Sequence, residues 1–422
     1  MLETLRNAWR VPELRKKLIY TFLMLLLFRL VGVIPVAGID LAKLQSSMEA
    51  YDALGLLNMM TGNTFSQMTI MAMGITPYIN ASIIMQLLTI AIPALERLSK
   101  DGGEEGKKKI NRITRYVTVV LAALQAIGII AGLNVVKAEY KNFFGYATIG
   151  VTMAGGTALA MWIGERITKN GIGNGISLLI FAGIISNLFN GVVTSVSNVF
   201  AGQAGAVGNL LVIIITTLVI VAVVTFVDSG ERRIPVQYAK RVVGRKMYGG
   251  QSTHIPLKIL AVGVLPLIFA YSFMAFPGTI FAMFGTNSGA YKWWSANMNQ
   301  YSVWYMLVCA LLIIAFSYFY TAITFNPQEM AKNIQQQGGH IPGIRSGAPT
   351  VEYLSRSSNR LTLFAAIFLA ILSTVPSALT VWRNVSIPFG ASSILIAVSV
   401  ALETVRQVEG QLTMRHYKGF LS

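Results

Sequence analysis

Apolar residues in this chain gather into about ten continuous blocks, each on the order of 20 residues long, and that pattern excludes most soluble architectures. The blocks lie near 18–38, 68–95, 113–133, 149–167, 176–195, 209–228, 257–284, 303–325, 361–381 and 387–404. A hydrocarbon core about 30 Å thick is crossed by about 20 helical residues. Continuous runs read as helices; barrel strands would alternate, and in lipid a helix satisfies its own backbone groups. Composition agrees, with 12% charged residues where soluble domains carry about 25%. The fold class predicted is an all-α, multi-pass bundle of ten transmembrane helices. The first block follows Arg6, Arg10, Arg15, Lys16 and Lys17, like the start of a signal peptide, but no A-x-A cleavage site follows and it reads as a retained span.

The net charge of +17 matters through its placement. Basic residues sit between apolar blocks rather than on one amphipathic domain, which argues against a nucleic-acid-binding domain. The N-terminal tail and every second loop thereafter hold 28 of the 34 Lys and Arg residues, and the alternate loops hold five. Basic loops stay cytoplasmic, so both termini are predicted inside. The remaining basic residue, Arg29, lies inside the first block, where it is expected to snorkel or to pair with a neighbouring helix. Cys309 stands alone in an apolar run and reads as an inert buried thiol, and His254, His340 and His416 lack metal-ligand spacing. No metal and no cofactor is expected.

An internal repeat emerges when GITPYINASIIM from Gly74 is set against GVLPLIFAYSFM from Gly263. Gly74/Gly263, Pro77/Pro266, Ile79/Ile268, Ala81/Ala270 and Met85/Met274 match at one constant offset. If the second span corresponds to the seventh, each half has five spans, and an odd number inverts the second half relative to the first. The halves predicted are 1–200 and 201–422, with cytoplasmic loops at about 229–256 and 326–360. The early Gly and Pro of both helices are expected to permit a kink. Residues 54–67 are moderately apolar yet too short to cross, which fits either a re-entrant segment or an amphipathic helix at the outer surface.

Several motifs, in order and over nearly the whole chain, resemble the SecY family and its archaeal and eukaryotic counterparts. They are IPVAGID from Ile34, ITPYINASIIMQLL from Ile75, EEGKKK from Glu104, GERITKNGIGNGISLLIFAGI from Gly164, ERRIPVQYAKR from Glu231, QSTHIPLK from Gln251, FNPQEMAKN from Phe325 and HIPGIR from His340. GIGNG alone is no nucleotide loop, because no strand precedes it and no Walker lysine follows.

The resemblance implies two inverted halves closing like a clamshell around an hourglass pore in the bacterial cytoplasmic membrane. It maps a pore ring onto Ile75, Ile79, Ile176, Ile180, Ile268 and Ile396, and a short re-entrant plug helix onto Leu56, Leu57, Asn58, Met59, Met60 and Gly62. It implies a lateral gate between the second and seventh spans, with Pro77, Gln86, Gln125, Leu260 and Pro266; many relatives carry an asparagine where Leu260 stands. Arg241, Arg245, Lys246 and Arg345 match positions that dock a ribosome or motor. The partners implied are SecE, SecG, the motor ATPase SecA, the ribosome, and unfolded preproteins with their signal peptides.

A ring of branched aliphatic side chains solvates no ion and passes polymers of many sequences, which suits such a channel. A secondary transporter built from inverted five-helix repeats is the rival, and it predicts ionisable residues at span centres, which are nearly absent. A non-conducting membrane scaffold is a third class. No Ser-His-Asp pattern, Walker loop or paired intramembrane carboxylates point to an enzyme.

Overall fold

The computed structural model describes residues 2–50, 61–62, 64–202, 206–238, 241–243, 246–248, 252–260, 263, 265–283, 288–299, 302–383 and 391–418. Helices α1 (Leu2–Arg10), α2 (Pro12–Val31), α3 (Leu41–Ala50), α4 (Thr76–Ala91), α5 (Pro93–Lys100), α6 (Gly103–Leu133), α7 (Phe143–Asn170), α8 (Gly175–Phe200) and α9 (Ala206–Ser229) form the first part. Strands β1 (Glu231–Tyr238), β2 (Arg241–Val243), β3 (Lys246–Tyr248) and β4 (Ser252–Lys258) follow. Then come α10 (Leu265–Met283), α11 (Gly289–Asn297), α12 (Val303–Thr324), α13 (Pro327–Gln336), β5 (Gly339–His340), α14 (Ala348–Arg383) and α15 (Ala391–Lys418).

Among the described residues six helices are long and apolar enough to cross a membrane, namely α6, α7, α8, α9, α12 and the Ala348–Val375 part of α14. A seventh arises if the bent pair α4 and α5 is one span. The remaining predicted blocks also contain helices. Arg15, Lys16, Lys17 and Arg29 lie in α2, while α15 continues past the apolar residues through Glu403 and Arg406.

Two block boundaries are corrected. The second block was expected from 68, yet residues 64–75 form turns and the helix starts at Thr76. It then breaks at Ile92, which is extended as a residue before proline must be, and α5 leaves at 104°. The seventh block was expected from 257, but 257–258 end strand β4 and the helix starts at Leu265.

The repeat explains both starts. Gly74 and Gly263 each adopt a left-handed backbone, φ +53° and +62°, two residues before their helices. Each amide donates to the carbonyl three residues back, Gly74 to Met71 and Gly263 to Leu260. Pro77 and Pro266 then fall at the second helical residue, where a missing N–H costs nothing. The expected kink is therefore a helix start in both copies; the proline inside α10 is Pro277.

Glycine sets how closely the central helices approach. A Cβ on Gly156 of α7 would lie 1.9 Å from the Ile70 carbonyl oxygen, and one on Gly175 would lie 1.9 Å from that of Gly164. Small residues permit such contact where lipid supplies no hydrophobic drive between helices. Gly175→Val is expected to destabilise the bundle by about 3 kcal/mol, since backbone blocks the new atoms and no rotamer relieves them. Gly208→Ala, in open space on α9, should be neutral or slightly stabilising. Thermal unfolding of the two variants in detergent checks the contrast.

The segments expected as cytoplasmic loops carry short strands beside the helices. β1 pairs antiparallel with β4 from Glu231↔Lys258 to Gln237↔Ser252, and β5 adds at the far edge of β1. Ile234, Val236, Leu257, Ala331, Ile334, Ile341 and Leu354 close a small core of their own between this sheet, α13 and the start of α14.

Candidate functional site: an apolar waist beside a polar cavity

Helix α10 packs against α4 and α6, while α15 packs against α8 and α9. Helices from late in the chain thus meet helices from its first half along two seams, and the expected site residues lie near them. Ile75, Ile79, Ile180, Ile268 and Ile396 are buried in one apolar cluster, and Ile176 packs partly buried against it. Met71 and Phe28 belong to the same cluster.

A cavity of about 500 Å³ adjoins this cluster. Ile79, Ile176, Ile180 and Ile268 line it, from α4, α8 and α10; Ile75 and Ile396 do not. The rest of its wall is largely polar, including Tyr78, Ser82, Gln86, Asn111, Thr168, Lys169 and Asn174. Arg115 and Glu165 face it as an ion pair of 2.7 Å joining α6 to α7. Sequence reasoning missed most of this wall. Its signal was the recurrence of Tyr78, Ser82 and Gln86 every four residues along an otherwise apolar helix, one polar stripe at helical spacing. The turn that opens α8 is also built by sequence: the Asn174 side chain accepts from the amides of Ile176 and Ser177 and so caps the helix that carries two of the isoleucines.

The expected gate residues separate into two places. Pro77 and Pro266 are buried at the starts of α4 and α10, and Gln125 is buried on α6. Gln86 lines the cavity, with its Oε1 buried and without a hydrogen-bond partner among the described residues. Leu260 does not lie in the seventh helix as expected. It ends the turn after β4, at the repeat position of Met71, and lines a separate cavity of about 310 Å³ with Ser317, Thr321, Ser358 and Thr362. Cys309 is buried on α12.

Of the expected plug, Leu56, Leu57, Asn58, Met59 and Met60 lie outside the described residues. Gly62 has φ +72° and receives a hydrogen bond at its carbonyl from Arg29 Nη1, 3.2 Å away. The other terminal nitrogen of Arg29 donates to Ser186 Oγ on α8. Of the expected docking residues, Arg241 and Lys246 fall on the short β2–β3 hairpin and Arg245 lies outside the described residues. Arg345 is exposed in the turn after β5.

Comparison with known proteins places this arrangement. The SecY family model matches residues 69–405. Protein translocase subunit SecY of Streptomyces scabiei is 43% identical over 441 residues, that of Halalkalibacterium halodurans 42% over 439, and that of Aquifex aeolicus 39% over 432, each match covering the whole of both chains. Among solved structures, a protein conducting channel aligns with a TM-score of 0.69 at 20% identity, covering 93% of this chain and 91% of that one. Sec61 in a canine ribosome-channel complex aligns at 0.65 and 19%, with the same coverage. A family model that spans most of the chain, together with relatives near 40% identity along its full length, makes this protein a member of the SecY family.

Proposed function

We infer that this protein is the channel-forming subunit of a bacterial protein translocase, moving unfolded polypeptides across the cytoplasmic membrane. It is a conduit and not an enzyme, so drive comes from outside. The observation that carries the reading is the meeting, at one cavity, of four isoleucines from α4, α8 and α10 with a polar wall that ends in Arg115, Glu165 and Lys169. A hydrated funnel that narrows onto branched aliphatic side chains admits an extended chain and withholds ions, because those side chains replace no ionic hydration. Relatives named protein translocase subunits along the whole chain support it.

In this reading ten helices cross the membrane in two inverted halves, 1–200 and 201–422, with both termini cytoplasmic. Ile75, Ile79, Ile176, Ile180, Ile268 and Ile396 form the waist. The segment near 54–67 seals it from outside at rest. The seam between α4 and α10 opens sideways, so that a passenger segment of about 20 apolar residues partitions into lipid. Gln86 and Gln125 tune that opening. Leu260, in the turn before α10, is buried in the same apolar cluster as the isoleucines and stands where many relatives carry an asparagine. Arg241, Arg245, Lys246 and Arg345 engage a ribosome or the motor SecA, and SecE and SecG brace the halves. Sec61, whose fold this chain shares, is seen in a ribosome-channel complex.

Crosslinking tests the reading. A secretory chain stalled in transit should crosslink to photoreactive residues at positions 79 and 268, and far less to position 313 of α12, which is buried in the same cluster but off the cavity. Equal labelling at all three would remove the waist.

A further inference from the structure

Asp228, in the last turn of the apolar helix α9, is a buried carboxylate that neither the waist nor the docking surface uses. Its partner is Arg406 of α15. The Arg406 Nη2 donates to the Asp228 carbonyl oxygen at 2.7 Å and stands 3.0 Å from the carboxylate Oδ2. The arginine thus takes up a carbonyl that the end of a helix leaves unpaired, and it neutralises the charge beside it. Apolar side chains of similar volume often join two helices at least as firmly, so packing alone does not call for the pair.

The place of this clasp gives it reach. Gly230 alone separates the end of α9 from Glu231, where β1 begins. Its carbonyl accepts from the Ile259 amide, and a Cβ on it would lie 2.5 Å from Ile259 Cδ1, so the two ends of the segment that carries the β2–β3 hairpin are drawn together beside the clasp. β1 and β4 in turn share the small core with α13 and the start of α14, next to the Arg345 turn. The first half of the chain grips α15 as well: Val408 is buried with Ala8, Leu14 and Ile172, and Lys17 Nζ donates to Gln411 Oε1 at 3.2 Å. Ile396 of the waist stands about 15 Å from Arg406 along the same unbroken helix.

We propose that Arg406 is a positioning residue that couples the docking segment to the waist: by holding the end of α9 in one register against α15, it makes the β1–β4 sheet and the helix that carries Ile396 move together. This rests on the docking and waist readings above. A bond to the backbone at Asp228 and an ion pair to its side chain fix both the height and the rotation of α9 against α15, and a pull on the sheet therefore reaches the isoleucines.

The test is motor-driven transport of a signal-bearing precursor into vesicles that contain the channel with its co-purifying subunits, measured against motor concentration. Arg406→Gln, a shorter side chain that no longer reaches Asp228, should lower the rate at saturating motor about tenfold, the scale of losing one charge-assisted bond, and leave the half-saturating motor concentration within about twofold. Asp228→Asn with Arg406→Gln orphans no buried charge, so it should show the same loss in a chain of near-natural thermal stability, which separates coupling from folding. In a channel whose waist is loosened by Ile79→Ser with Ile268→Ser, opening no longer limits transport, and adding Arg406→Gln should cost less than about twofold. An equal loss in that background, a raised half-saturating concentration with an unchanged maximum, or full transport by the neutral pair overturns the coupling. Failure of the readings beneath it shows elsewhere: as full transport by Arg345→Glu for the docking surface, and as a tight Ile79→Ser, Ile268→Ser channel for the waist.

Discussion

Vesicles containing the Ile79→Ser, Ile268→Ser double variant should leak ions at rest at a rate at least tenfold above the natural channel. The two residues occupy equivalent positions of the repeat, on α4 and α10, and both are buried where the apolar cluster meets the polar cavity. Exchanging each branched side chain for a hydroxymethyl group removes bulk and supplies hydrogen-bonding groups, so water can bridge what was a dry constriction. Each tenfold rise corresponds to about 1.4 kcal/mol off the barrier, a small fraction of what an unsolvated ion pays in an apolar waist. Loss of packing is the competing explanation, since core truncation costs about 2–5 kcal/mol per site. Two controls separate them. Ile313→Ser, fully buried on α12 in the same cluster, should weaken thermal stability without leak. Ile79→Val with Ile268→Val, which keeps the branching and most of the volume, should stay tight. Equal leak from Ile313→Ser would show that any loosened core leaks, and the waist would lose its special place.

Much of this was legible because hydropathy acts over long windows. The apolar blocks became helices, and the repeat at constant offset became two helices that start alike, with Gly74 and Gly263 left-handed and Pro77 and Pro266 just inside. What misled was that apolar residues also build turns. Met71, Met73 and Leu260 continue the hydrophobic run seamlessly, so nothing in composition announced that the helices begin at Thr76 and Leu265. The early glycine and proline were the proper signal, and reading them as a hinge rather than a start placed Leu260 in the wrong element. The β1–β4 pairing had a local trace in the alternation that buries Ile234 and Val236, but its partner lies over a dozen residues away, and pairing at that distance leaves no periodicity to read. The partner of Arg29 was beyond reach for a different reason. A guanidinium that bonds a backbone carbonyl asks nothing of the side chain there, except that at Gly62 there be none.

Reversing Arg345 should cripple transport while leaving the channel itself intact. Ile341, four residues earlier, is buried in the small core between β1, α13 and α14, and the Arg345 carbonyl accepts a bond of 2.9 Å from Thr350 Oγ1 at the start of α14. Gly343 and Gly347, with φ of +80° and +96°, turn the chain on either side. The backbone at 345 is thus fixed to a rigid base, yet the side chain is exposed and makes no hydrogen bond or ion pair among the described residues. In the docking role proposed above, its planar fork suits carboxylate and phosphate alike. Arg345→Glu removes a charge-assisted bond of about 1.5–3 kcal/mol and sets like charges together, so motor-driven transport of a signal-bearing precursor into vesicles should fall more than tenfold. Stability should change by only about 0.5 kcal/mol, because the site is exposed and its fold is held by Ile341 and Thr350. Arg345→Lys, a point charge without the fork, should retain part of the activity. Resting ion leak should match the natural channel in both variants, since the small core stands apart from the isoleucine cluster. Full transport by Arg345→Glu would strip the residue of its docking role, and leak in the same variant would mean that the loop communicates with the waist and that its charge serves the seal instead.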